Sequence, residues 1–310
     1  MNIESFLTAA VIAGMPLLFA TLGGIMSEKV GHLNLGVEGM MVMGAVMGFI
    51  TSVQTQNPYL ALLSAMAAGG VGALIYAVLT VSLRANQVVT GLALTIFGTG
   101  FTNFVGQSFV GQIVPESVKT FFAPIAIPVL SNIPIIGGAF FNQSLFVYLG
   151  YGIAVILMLY YVVTKVGLNA RMIGENPGVA DAAGIPVALY KYINIVLGGM
   201  LCGLSGAFLS LVYVPSWQQN ITAGKGWIAV ALVIFIGWNP VKAIFGAILF
   251  GALDILGLRL QAAGIQINQY FVDMLPYLMT IIFLVIGSIR TGGASKGPKA
   301  LGEAYFREDR

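Results

Sequence analysis

Apolar runs close to twenty residues long recur along the whole sequence, and this spacing constrains the fold more than any other feature. A helix of that length crosses a hydrocarbon layer about 30 Å thick. Runs at 5–26, 35–53, 59–83, 88–110, 145–164, 192–214, 243–261 and 270–289 approach or exceed it. A ninth, 227–238, is too short to cross unaided and would borrow residues from "ITAGKG" upstream or "NP" downstream. Inside lipid every backbone N–H and C=O must find a partner within the protein, so such runs are helices. Hydrophobic residues make up 58% of the chain and charged residues 8%, where a soluble domain has about a quarter charged. So few charges cannot coat a water-facing surface, and membrane lipid is the main solvent. The expected fold is all-α, a polytopic integral membrane bundle of about nine transmembrane helices. Residues 1–290 form the transmembrane domain, and 291–310 form a polar tail.

The first run follows "MNIES", which has no basic residue ahead of it and no convincing cleavage site after it, so it reads as a retained helix. Between 111 and 143, Pro115, Pro124, Pro128 and Pro134 break up any helix, although "FFAPIAIPVL" can dip into the interface. Basic residues orient the spans. With the N-terminus outside, inner segments hold Lys29, Arg84, Lys165, Arg171, Lys191, Lys242, Arg290, Lys296, Lys299, Arg307 and Arg310. Outer segments hold Lys119, Lys225 and Arg259. Eleven against three places the N-terminus outside and the C-terminal tail in the cytoplasm.

The largest inner connection is then 165–191, "KVGLNARMIGENPGVADAAGIPVALYK". Asn176 reads as a helix cap, Pro177 as a first-turn residue and Gly184 as the stop of a short helix. A capped helix projecting from the inner face suits docking better than chemistry, although an ordinary connecting loop is the alternative.

Chemistry is scarce elsewhere. No G-x-x-x-x-G-K-[ST] loop occurs, and "TAGKGW" and "SKGPKA" lack its spacing. One His and one Cys cannot build a metal cluster or an intrachain disulfide. His32 has Glu28 and Glu38 beside it and no Ser nearby, a weak basis for a hydrolytic triad. There is no long basic run of the kind that binds nucleic acid. The chain is therefore expected to catalyse nothing and to hold no cofactor, so uphill transport would draw on an ion gradient or another subunit.

Ionisable groups inside spans point to function by default. Glu38, Asp254 and Asp273 are the candidates, with no obvious Lys or Arg at depth to pair with. Capping of backbone amides is the competing reading for each. Glu38 follows Asn34 by one turn, and the two share a face if the helix already runs there. In "QVVTGLALTIFGTGFTNFVGQSF", Thr95, Thr99, Thr102 and Asn103 lie along one side, with Phe97, Phe101 and Phe104 interleaved. Such a mixture suits a neutral polar ligand with a flat face, or equally hydrogen bonding between helices. Gly44 and Gly48, Gly199, Gly203 and Ala207, and Gly198, Cys202 and Gly206 recur at helix spacing and predict close crossings.

Four stretches taken together carry a resemblance: "GHLNLGVEGMMVMGA" (31–45), "RANQVVTGLAL" (84–94), "RMIGENPGVADAAGI" (171–185) and "GKGWIAVALVIFIGWNPVKA" (224–243). In this order they resemble permease subunits of bacterial ABC importers for nucleosides and simple sugars. That superfamily contains the branched-chain amino acid, ribose and galactose permeases. The nearest branch works with a basic-membrane-protein-type lipoprotein receptor. The resemblance covers essentially the whole chain and implies a type II importer-like fold in a bacterial plasma membrane. It implies a separate cytoplasmic ATPase that uses ATP and Mg, a second homologous permease completing the pore, and an extracellular lipoprotein delivering ligand. That delivery would be to the outer loops 54–58, 111–143, 215–226 and 262–269. It assigns ATPase coupling to Arg171, Gly174, Glu175, Asn176, Pro177, Asp181, Ala182, Ala183, Gly184 and Ile185. It also implies that "NLGVEG" interrupts the second transmembrane region near the pore, where Asn34 and Glu38 either hold the break or face the substrate. With Thr95, Thr99, Asn103 and Asp254 they form the expected substrate path. The branch favours nucleosides, with simple sugars as the alternative. A gradient-driven carrier using Glu38 and Asp254, or a passive channel, are the rival classes.

Overall fold

The computed structural model describes residues 3–262, 268–290 and 297–307. Lys296, Arg310 and the Asp273 side chain lie outside the described residues. The helices are α1 (Ile3–Glu28), α2 (Val37–Thr55), α3 (Pro58–Ala77), α4 (Gln87–Gly106), α5 (Glu116–Phe121) and α6 (Ile136–Phe141). They continue as α7 (Leu145–Val163), α8 (Lys165–Glu175), α9 (Pro177–Ala182), α10 (Val187–Phe208), α11 (Lys225–Phe235), α12 (Pro240–Ala262) and α13 (Gln269–Arg290). Each of the nine expected apolar runs contains a helix. Among the described residues, seven helices are long and apolar enough to cross a membrane.

The bundle is built around α1, α2 and α10. Of the most apolar stretch of each, 89%, 78% and 78% is buried, against 28% for α4. Missing side chains explain how α10 touches three neighbours. A Cβ on Gly203 would collide with the Ala65 carbonyl of α3, and one on Gly206 with the Met41 carbonyl of α2. A Cβ on Gly198 would come within 2.6 Å of the Gly23 carbonyl of α1. Helices without Cβ atoms between them approach closely and gain van der Waals contact, the main adhesive force where lipid removes the hydrophobic one. Ser205 Oγ also donates to the Pro16 carbonyl at 2.6 Å, and Ser210 Oγ to that of Ala45 at 3.0 Å. Both α3 and α10 end in a widened π turn, Val78–Ser82 and Leu209–Tyr213.

Three features depart from the sequence reading. The fold is not purely helical, because β1 (Pro124–Ala126) pairs antiparallel with β2 (Asn142–Ser144). The prolines of 111–143 do not exclude helix, since α5 and α6 form there at six residues each, and a short ribbon satisfies part of the remaining backbone. The connection 165–191 holds two helices rather than one. Asn176 breaks the chain with extended backbone, and its Oδ1 accepts from Val179 N at 3.1 Å to start α9. Gly184, at φ +80°, ends the turn. Finally, α11 stays 11 residues long, about 16 Å and half of a crossing.

Candidate functional site at a broken helix

Contacts at its two ends explain how α11 can stop short. Its N-terminus begins inside the bundle at Gly224, whose φ of +82° is open to glycine and strained for other residues. Such a terminus presents free N–H groups and a partial positive charge. Glu38 meets them. Its Oε1 accepts from Gly224 N at 2.9 Å and from Thr222 Oγ1 at 2.5 Å, and its Oε2 from Gly226 N at 2.6 Å. Gly226 allows the approach, because a Cβ there would lie 2.5 Å from that same Oε2. Glu38 also belongs to the first turn of α2. One buried carboxylate therefore sits where two helix N-termini converge, an arrangement that suits negative charge.

The same turn holds a second carboxylate. Lys225 Nζ, between the two glycines that bind Glu38, lies 2.7 Å from Asp254 Oδ2. The Tyr213 hydroxyl stands 3.5 Å from the same oxygen. Asp254 thus has the partner that the sequence did not reveal. Lys225 opens α11 rather than lying in the preceding loop, and its side chain is 12% exposed. Residues 214–224 lead into the bundle, with Trp217 and Thr222 buried. This segment is pinned near its start: Trp217 packs against Gly106, and its carbonyl accepts from Gly111 N at 3.0 Å.

The other expected path residues are spread out. Asn34 does not share a helical face with Glu38, because α2 begins only at Val37. Its Oδ1 accepts from Gly36 N at 2.9 Å, a local turn that shapes the approach to α2. "NLGVEG" is thus the end of the α1–α2 connection and the first turn of α2, not a gap within a helix. Thr95 Oγ1 reaches the Leu35 carbonyl at 3.2 Å, where Gly91 and Gly98 bring α4 against residues 35–39. Thr99 Oγ1 bonds back to the Thr95 carbonyl at 2.9 Å. Asn103 is exposed, beside exposed Phe104 and nearly two turns from exposed Phe97.

At the far end of α11, Trp238 Nε1 donates to buried Glu28 Oε2 at 2.6 Å. Sequence reasoning noted Glu28 only as a neighbour of His32, and it missed Thr222, Lys225 and Trp238. A usable signal was present: a glycine-flanked lysine in "TAGKG" precedes an apolar run too short to cross.

The 165–191 elbow gathers the remaining site residues. Arg171, Glu175, Asn176, Val179, Ala182, Ala183 and Gly184 are exposed, Pro177 is half-buried, and Gly174, Ala180 and Ile185 are buried. Asp181 faces inward instead. Its Oδ2 accepts from the Tyr305 hydroxyl at 2.8 Å and lies 3.2 Å from Arg307 Nε. The tail is therefore packed on the bundle, with Ala300 N donating to the Gly174 carbonyl at 2.9 Å and Gly302 N to that of Gly31 at 3.2 Å.

A short helix that starts inside a bundle of apolar spans, with carboxylates held at its ends by hydrogen bonds, suits a polytopic membrane protein of the transporter kind. The chain belongs to the family described as the permease component of the branched-chain amino acid transport system, which matches residues 6–284. It is 37% identical to a putative glucose ABC transporter permease of Haloferax volcanii, over 97% of each chain. It is 33% identical to the guanosine ABC transporter permease NupQ of Bacillus subtilis, over 97% of this chain and 96% of that one. It is 34% identical to the nucleoside ABC transporter permease NupC of Lactococcus lactis, over 96% and 95%. The protein is a multi-pass membrane permease.

Proposed function

We propose that this chain is one of two permease subunits of an ATP-driven nucleoside importer, worked by a separate ATPase docked on the α8–α9 elbow. The exposed face of that elbow is the observation that carries the reading. It offers Arg171 and Glu175 from α8, Asn176 at the junction, and Val179, Ala182 and Ala183 on and just after the short capped helix α9. Buried Ala180 and Ile185 anchor it from beneath, and Pro177 and Gly184 fix its two ends. A push there passes directly into α10, and from α10 through the glycine contacts to α1, α2 and α3. Glu38 ties α2 to the start of α11, and Lys225 ties that start to α12. The turn at 222–226 therefore joins three helices and is the natural pivot for changing which side is open. In this reading Glu38 holds the 222–226 turn and Asn34 shapes the approach to α2, while Thr99, Asn103 and the exposed phenylalanines of α4 face the pore or the second permease.

The chain performs no bond-making chemistry and holds no cofactor. ATP and Mg belong to the ATPase, and an external lipoprotein delivers the ligand. The nine-helix arrangement has the N-terminus outside and places 165–191 and the tail in the cytoplasm. The nucleoside relatives support a nucleoside ligand. The Haloferax relative favours a second reading, a simple sugar.

Substitution of Ala182→Trp and Val179→Trp tests the docking face without touching the cap at Asn176. Both should leave the protein folded and abolish co-purification of the ATPase. Retained ATPase and retained uptake would reject the role. Uptake of radiolabelled guanosine, competed by excess guanosine and not by glucose, separates the two ligand classes.

A further inference from the structure

Next to the elbow is a cavity of about 310 Å³, at the small end of the range for ligand sites. The α1–α2 connection, the end of α3, α9, the start of α10 and the tail all contribute to its wall. Its lining includes His32, Arg84, Asp181, Lys191, Tyr305 and Arg307. Two of these are almost wholly enclosed, His32 at 1% and Lys191 at 3% exposed. Neither ring nitrogen of His32 has a hydrogen-bond partner. The Val30 and Thr80 backbones lie close to the ring. Lys191 forms no ion pair among the described residues.

Buried polar groups without partners are costly and rare in native structures, and each calls for an explanation. The charges supply one. Asp181 is already engaged by Arg307 and the Tyr305 hydroxyl, so it offsets one cation. Arg84 stands over the Phe306 ring at 4.6 Å, a stacking that leaves the edge of the guanidinium open to a ligand. Lys191 and Arg84 are then two cations without a counter-charge in one cavity, with an imidazole at the back. Burial holds His32 down to about 3, so near neutral pH its ring is uncharged and offers one donor and one acceptor. Several donors around a net positive hollow match the oxygen-rich outline of a phosphate group, which guanidinium and ammonium groups recognise.

We propose that this cavity binds a phosphate-bearing anion, held by Lys191, Arg84 and His32. The anion would complete the buried donor set and bridge the tail to α10 beside the elbow. Two sources share this chemistry, an anionic phospholipid headgroup and free inorganic phosphate.

The test uses the full chain in detergent with three probes: inorganic phosphate, dioctanoyl phosphatidylglycerol, and dioctanoyl phosphatidylcholine as the zwitterionic control. The melting temperature should rise with one or both anionic probes and not with phosphatidylcholine. Lys191→Gln and Arg84→Gln should each weaken that response about tenfold, since each removes a hydrogen bond from a charged donor. Arg84 is on the exposed rim, so Arg84→Gln decides the matter where Lys191→Gln fails to fold. A response to phosphate identifies a soluble ligand, and a response to phosphatidylglycerol alone identifies a headgroup. Absence of any rise in the unsubstituted protein, an equal rise with phosphatidylcholine, or unchanged binding by the folded variants would overturn the proposal.

Discussion

Glu38 shows why a membrane helix can tolerate a carboxylate. Its two oxygens take three donors from the 222–226 turn, so the desolvation cost is met by hydrogen bonds and by two helix termini rather than by a cation. Glu38→Ala would leave those donors buried and unpaired, at about 1–3 kcal/mol each. The expected outcome is a large fall in melting temperature, with Glu38→Gln in between because one amide oxygen replaces two acceptors. The Lys225–Asp254 pair is different. The Asp254 side chain is 36% exposed, and partly solvated pairs contribute about 1 kcal/mol or less. A double-mutant cycle of Lys225→Met and Asp254→Asn should therefore return a small coupling. His32 carries the clearest pH signature. Its folded-state value of about 3 lies below the ordinary value near 6.5, so between those limits the unfolded chain binds more protons. Stability is fully present above about pH 6.5 and is lost on acidification towards pH 3, at up to about 1.4 kcal/mol per unit. Nitrogen NMR of the single imidazole in phosphate-free buffer should show a neutral ring at pH 5. A midpoint near 6.5 would contradict the buried placement.

Among the helices, α10 depends most on residues that are absent of bulk. Gly203→Leu would force α10 away from α3 at Ala65, and the expected result is loss of monodisperse protein or a sharply lowered melting temperature. Gly152 in α7 is the control, because a Cβ there meets nothing within 4 Å; Gly152→Ala should be neutral or slightly stabilising. These contacts were legible beforehand because small residues repeat at helix spacing. The apolar runs and the Asn176–Pro177–Gly184 punctuation were equally plain, since length, caps and breakers act locally. Depth was not legible. Nothing in the local pattern of 214–226 says that it leads into the bundle, so Lys225 read as an outer-loop charge and Asp254 as unpaired. Likewise α8 escaped notice because its mixture of Gly, Asn and Arg resembles a loop until Ala170, Ile173 and Gly174 find a surface to pack on. The inward turn of Asp181 depends on Tyr305 and Arg307, more than a hundred residues away in sequence, which no spacing rule connects.

At the scale of the whole molecule, two clusters of contacts divide the work. One, at the 222–226 turn, binds α2, α11 and α12 inside the bundle. The other joins the elbow, the tail and the connections after α1 and α3 at one end. Between them run α10 and its glycine contacts, so a force applied at the elbow has a short, close-packed route to the interior pivot. In the proposed reading the motor that applies this force is a separate ATPase. The most direct measurement is nucleoside uptake into proteoliposomes that contain this chain and its companion permease, with and without the ATPase subunit. The account predicts concentrative uptake only when the ATPase, the receptor and ATP are all present, unaffected by collapse of proton and sodium gradients. Concentrative uptake by the permeases alone, abolished when those gradients are dissipated, would contradict it.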